Sequence, residues 1–239
     1  METLEEAAKS LSDACNNLTP KLSKTVSWIY NPLDYAWEVH HQYLRKYGDL
    51  GCKTILLGMN PGPWGMGQTG VPFGDVNKVT DYLGLTGNVS QPEKLHPKRP
   101  VIGMESTRNE VSGTRLWGIL EDTFGSAEKA HAKLFVVNHC PLLMFDENGR
   151  NLTPDKISGP SAKKLLEICN LHLRQVVEIL GATRVIGVGA YAEKQATKAL
   201  AGIDIEIKRI PHPSPASPFA NRNGGADWRH EVKNVLSKL

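Results

Sequence analysis

The stretch GMNPGPWGMGQTGVPFGD, residues 58–75, restricts the fold more than any other part of the chain. It follows the apolar run KTILL at 53–57, which reads as a buried strand. Six glycines and three prolines among its 18 residues argue against a continuing strand or helix. A buried strand that opens into a glycine- and proline-rich loop is where α/β proteins hold their ligands. A second loop of this kind, PHPSPASP at 211–218, follows the strand-like run IDIEIKRI at 203–210. The two loops are expected to meet over one small pocket.

Two more apolar runs read as strands, LFVV at 134–137 and RVIGV at 184–188. The first ends in the polar tetrapeptide NHCP. Apolar residues at helical spacing predict helices over 2–18, 33–47, 76–83, 111–124, 162–180, 190–200 and 227–239. Strands alternating with helices imply right-handed crossovers, and hence a central four-stranded parallel sheet in a three-layer α/β/α fold. Parallel strands bring GMNPG, NHCP and HPSP to one edge, the usual ligand edge of an open sheet. Residues 84–109 carry no clear period, and residues 145–161 form a loop holding Arg150 and Lys156. The chain is expected to be one domain over 1–239, with 1–24 as an N-terminal helical extension.

Composition narrows the class. Of 239 residues, 40% are apolar and 22% charged, as in ordinary globular proteins. No apolar run is long enough to span a bilayer, and the acidic N-terminus lacks a signal peptide's basic start. An intracellular protein without membrane contact is expected. The four cysteines lie far apart with no metal-ligand spacing, so reduced buried thiols and no metal site are expected. The net charge of +3 is small. Beyond residue 206, however, Lys208, Arg209, Arg222, Arg229, Lys233 and Lys238 face only Asp227 and Glu231 in sequence. That end either attracts phosphates or is a solvated helix face.

The loops carry chemistry-bearing residues. Asn60 can hold a water or a polar substrate atom, or can form an Asx turn before Pro61. Gly62, Gly65, Gly67 and Gly70 allow close approach of backbone to ligand, but neither GxGxxG nor a phosphate loop is present. His212, held between Pro211 and Pro213, is either structural or placed to stabilise an anion. Asn138 offers a donor and an acceptor together, suited to a base edge, or is a satisfied strand end. Phe73 is either core or a flat stacking wall. Together these make the set that a flipped pyrimidine requires.

In this order, GMNPGPWGMGQTGVPFGD, FVVNHCPL and HPSP resemble the single-strand-selective monofunctional uracil-DNA glycosylases, within the uracil-DNA glycosylase superfamily. The resemblance implies hydrolysis of the N-glycosidic bond of uracil in single- and double-stranded DNA, the first step of base excision repair. It implies that Asn60 orients the attacking water and that His212 stabilises the departing base. It places Asn138 on the uracil N3–H and O4, Phe73 under the ring, and Met59 and Trp64 on the pocket wall. Gly62 stands where uracil-only relatives carry a tyrosine that blocks a 5-methyl group, so oxidised 5-methyl pyrimidines such as 5-hydroxymethyluracil are expected partners too. Pro213, Ser214, Pro215 and Ala216 are expected in the minor groove, with Arg150, Lys156 and Arg222 also touching DNA. No lysine lies in the three motifs, so neither a Schiff base nor strand cleavage is expected. Neither a metal nor an organic cofactor is implied, and a monomer is expected. Ala216 departs from the pattern, since relatives often carry an arginine there. The alternatives are a superfamily glycosylase of shifted specificity, for xanthine, hypoxanthine or mismatched thymine, and a non-catalytic DNA-binding protein.

Overall fold

A computed structural model describes residues 2–239. The strands are β1 (Trp28–Tyr30), β2 (Thr54–Gly58), β3 (Leu134–Asn138), β4 (Leu143–Phe145), β5 (Arg184–Val188) and β6 (Glu206–Ile210). The helices are α1 (Leu4–Leu22), α2 (Pro32–Tyr35), α3 (Trp37–Tyr47), α4 (Met66–Thr69), α5 (Val111–Phe124), α6 (Ala127–His131), α7 (Pro160–Leu180), α8 (Ala190–Ala199), α9 (Pro218–Asn221) and α10 (Ala226–Leu236). β3, β2, β5 and β6 form the expected parallel four-stranded sheet in that order. β2 is buried at every position, because helices cover it on both faces.

Right-handed crossovers put α7 and α8 on one face and α5 and α6 on the other. α1 packs along α7, and α10 returns to pack on α5 and β6. A capping box fixes the start of α1. Thr3 Oγ1 accepts from the Glu6 N–H (3.1 Å), and Glu6 Oε2 accepts from the Thr3 N–H (2.8 Å). Leu4, Ala7, Ala8, Leu11 and Cys15 are buried, as their spacing predicts. All four cysteines are free and buried. No helix among the described residues is long and apolar enough to cross a membrane.

Four expectations need correction. The helix over 33–47 is two helices broken at Ala36, where Gly70 of the long loop passes so close that a Cβ on it would lie 2.7 Å from the Ala36 carbonyl. The loop 58–75 is not free of helix, since Met66–Thr69 makes one turn. β6 begins at Glu206 rather than at 203. A small antiparallel sheet of β1 and β4 was not expected, and its Phe145 bridges to Asn151 inside the segment read as loop.

Register explains where the site lies. Gly58 pairs with Asn138, Leu57 with Gly187, and Val188 with Ile210. The chain leaves β2 and β5 in opposite directions around the sheet, toward β3 and toward β6. That makes their C-terminal ends a topological switch point, with a crevice between the departing loops.

Candidate active site

The loop 58–75 is built by its own buried polar side chains. Thr69 Oγ1 donates to the Gly74 carbonyl (3.0 Å) and accepts from the Val71 N–H (3.2 Å). Gln68 Oε1 accepts from the backbone of Ile102 (2.7 Å) and Gly103 (3.1 Å), and its Nε2 donates to the carbonyls of Pro63 (2.8 Å) and Pro100 (3.0 Å). The irregular 84–109 segment therefore closes over this loop and satisfies it. From α3, His40 Nδ1 donates to the Gly70 carbonyl (2.8 Å), and from α2 Tyr35 donates to Gly67 (2.6 Å).

These bonds deliver Phe73 with φ +54, a left-handed conformation that is uncommon for a bulky residue and costs on the order of 1–2 kcal/mol. Flanking turns hold it, with Gly74 N–H on the Val71 carbonyl (2.8 Å) and Asp75 N–H on the Phe73 carbonyl (2.8 Å). Such strain persists only where the surroundings over-determine it, which is common at ligand sites. The Phe73 ring meets Asn138 above Gly58. A Cβ on Gly58 would lie 2.2 Å from Asn138 Oδ1 and 2.6 Å from the ring, so only glycine lets the two converge.

Asn138 is buried, and its Nδ2 donates only to the Met66 sulfur (3.2 Å). Its Oδ1 has no hydrogen-bond partner among the described residues. A buried orphan acceptor is uncommon and points to a missing donor. The neighbouring His139 is fully satisfied by Tyr191 (3.1 Å) and Asn170 (2.8 Å), so that strand-end histidine belongs to the fold.

An open cleft of ≈ 350 Å³ lies against the Phe73 ring. Met59, Asn60, Gly62, Phe73, His212 and Ser214 line it, which brings both loops to one site. Asn138 is not among the residues that line this cleft; it meets the Phe73 ring above Gly58 and lines a neighbouring cavity with Met66, Pro72 and Pro141. Asn60 Nδ2 is held weakly by the Pro61 carbonyl (3.3 Å) and Asn151 Oδ1 (3.4 Å), which leaves Asn60 Oδ1 to accept from a water.

His212 Nδ1 accepts the Ser214 N–H (3.0 Å), so in the neutral ring the proton sits on Nε2. Burial pulls its pKa down to about 4, so the imidazole is neutral at physiological pH. Its ring centroid lies 6.2 Å from that of Phe73. The HPSP loop is braced from afar. Arg115 donates to the Pro213 carbonyl (2.9 Å) and to Asn221 Oδ1 (3.0 Å), Asn221 to Pro215 (2.6 Å), and Trp228 to Pro211 (2.8 Å).

Trp64 does not line the cleft. Its ring lies under the guanidinium of Arg108 at 4.1 Å, with that of Arg99 at 5.8 Å. Pro213 is buried, whereas Pro215 and Ala216 are exposed at the tip of their loop. Arg150 and Lys156 are exposed and lie outside the cleft lining. Arg222 is also exposed, but lies 3.8 Å from Asp227 and over the Phe219 ring. Sequence reasoning missed Glu110, Ser112 and Asn151 in the cleft, and the brace Arg115. The only sign of the first two was their place at the start of α5.

Known proteins match the chain over most of its length. Residues 45–234 match the uracil DNA glycosylase superfamily. The single-strand selective monofunctional uracil-DNA glycosylase of Rattus norvegicus is 45% identical over 216 residues, which span 90% of this chain and 76% of the rat protein. The Bos taurus protein of the same name is 43% identical over 221 residues, 92% of this chain and 80% of its own. The crystal structure of wild-type Pedobacter heparinus SMUG2 superposes with a TM-score of 0.62 over 95% of this chain and 96% of that one, at 20% identity, a likeness of fold. By its motifs, its fold and nine-tenths of its length, the chain belongs to the single-strand-selective monofunctional branch of the uracil DNA glycosylase superfamily.

Proposed function

We propose that the chain hydrolyses the N-glycosidic bond of deoxyuridine in single- and double-stranded DNA and so begins base excision repair. The observation that carries this reading is the buried, unpartnered Asn138 Oδ1 beside the Phe73 ring. A uracil stacked on Phe73 offers its N3–H to that oxygen, and its O4 to the Asn138 Nδ2. Cytosine presents the reverse donor and acceptor pattern and leaves the acceptor orphaned, which is the stronger form of discrimination.

Cleavage sends the bonding pair to the base and leaves positive charge on the sugar. The neutral His212 donates its Nε2–H to uracil O2 as negative charge grows there. Asn60 Oδ1 holds the water that adds to C1′. The base leaves as an anion and takes up a proton after release. DNA phosphates offset part of the sugar charge. The exposed tip formed by Pro215 and Ala216, next to Pro213 and Ser214, enters the minor groove and helps to extrude the base. Arg150, Lys156 and Arg222 contact phosphates, joined by Arg108 over Trp64. Gly62 carries no side chain, and the space beside it is taken by the Glu110 carboxyl, which a 5-substituent such as a hydroxymethyl group would meet.

The test is release of free uracil from single- and double-stranded oligonucleotides with EDTA present. Wild type should release it, and Asn138→Ala and His212→Ala should each lose roughly 10²–10³ in rate. Folded wild type that binds DNA but releases no base would overturn the reading and leave a DNA-binding protein.

A further inference from the structure

Glu110 lies in the cleft without a role in the steps above. Its main chain is fixed at the start of α5. Its N–H donates to Asp75 Oδ2 (2.9 Å), and its carbonyl accepts from the Thr114 N–H (2.9 Å). The side chain folds back over the long loop. A Cβ on Gly62 would lie 2.2 Å from Glu110 Oε2, and one on Gly65 2.7 Å from its Cγ. The carboxyl group thus occupies the space that a side chain at position 62 would fill. Oε2 accepts the Trp64 N–H at 3.3 Å, and the Gly65 N–H also favours the charged carboxyl, while no side chain among the described residues bonds to it.

The perimeter of the base says what this group meets. With O2 at His212 and N3–H and O4 at Asn138, the next atom around the ring is C5. N1 carries the sugar and points to the mouth. C5 therefore faces away from His212, and Gly62 and Glu110 are among the cleft-lining residues left to meet it. A substituent on C5 that passes over Gly62 reaches a carboxyl group rather than an apolar surface.

We propose that Glu110 sets the specificity of the cleft at C5, accepting a hydroxymethyl group by hydrogen bond and rejecting a methyl group. The proposal rests on the glycosylase reading above. A hydroxymethyl O–H bonds to the carboxyl group, whereas a methyl group strips water from it and returns nothing. A site built to bond a hydroxyl discriminates strongly against the analogue that lacks it. Burial, with Asp75 nearby, raises the carboxyl pKa above its ordinary value while the Trp64 and Gly65 N–H groups oppose the rise, and either protonation state can bond a hydroxyl.

The experiment measures kcat/KM on matched oligonucleotides carrying uracil, 5-hydroxymethyluracil or mismatched thymine. In wild type, Glu110→Gln and Glu110→Ala, the readout is the ratio of each modified base to uracil. The hydroxymethyl-to-uracil ratio should fall roughly 10–100-fold in Glu110→Ala and be largely restored in Glu110→Gln. The thymine-to-uracil ratio should rise in Glu110→Ala. If Glu110 only braces the loop, all three substrates fall together, the ratios stay constant, and the proposal is overturned. Wild type that releases uracil but not 5-hydroxymethyluracil overturns it as well. Wild type that releases no base at all overturns the glycosylase reading itself, a separate result.

Discussion

Loop 58–75 is rich in glycine and is laced by backbone hydrogen bonds of its own, whereas loop 211–217 is rich in proline and has its carbonyls met by side chains from outside it. In the first, buried Thr69 bonds backbone within the loop, while buried Gln68 and Asp75 bond the backbone of Ile102 and Glu110 in other segments. Such a loop can hold a strained Phe73 because many bonds share the cost. In the second, Pro211, Pro213 and Pro215 offer carbonyls but no N–H groups. Those carbonyls are met by Trp228, Arg115 and Asn221, from α10, α5 and α9. The comparison separates two ways of holding a catalytic group. A self-bonded loop should be sensitive to small steric changes inside it, and a borrowed one to the loss of distant partners.

The largest effect should come from Gly58→Ala. Its added methyl group would overlap Asn138 Oδ1 and the Phe73 ring, both side chains that can move, so the fold should survive while the pair that reads and stacks the base separates. Uracil release should fall by roughly 10²–10³, the range for loss of preorganised groups, with thermal unfolding remaining cooperative. Activity within a few-fold of wild type would show that Phe73 and Asn138 need not meet above Gly58. Arg115→Met comes next. It keeps most of the stem volume but removes the donors to Pro213 and Asn221. Activity should fall roughly 10-fold, since displacement of a catalytic group by about 1 Å can cost up to 10²-fold. An unchanged rate would mean that the prolines hold His212 by themselves.

These two residues also mark what the chain's letters reveal. Gly58 and Asn138 each follow a recognisable apolar run, and parallel pairing obliges the ends of such runs to share an edge, so their meeting could be read in advance. Arg115 reads as one more polar residue in an amphipathic helix. Its role appears only when α5 and the HPSP loop are folded together, 98 residues apart in sequence. Glu110 was silent for the same reason: its carboxyl matters because Gly62, from another segment, has no side chain. β1 and β4 have three residues each, too few for a periodic pattern, and packing rather than propensity makes them strands. The helix over 33–47 breaks at Ala36, whose carbonyl lies against Gly70 of a distant loop, a contact that the local letters do not announce.

The smallest effect concerns the titratable tie of the first loop. The second loop's braces include Asn221 and Trp228, whose side chains carry no titratable group, whereas the first loop is tied through His40 to Gly70. Burial, with His41 adding repulsion, holds the His40 pKa at about 4, while an unfolded histidine titrates near 6.5. As pH falls from about 6.5 toward 4, the unfolded chain binds a proton that the folded chain refuses, so stability present above 6.5 is lost on acidification. His131, His139, His172 and His212 are held at about 4 in the same way and add to the trend. Urea unfolding at a series of pH values from 7 to 4.5 should show a steady loss of stability. In His40→Gln the slope should be shallower by up to about 1.4 kcal/mol per pH unit, the share of one histidine. An unchanged slope would mean that His40 titrates in the folded protein as it does in the unfolded chain, and that the self-bonded loop does not hold its side chain neutral.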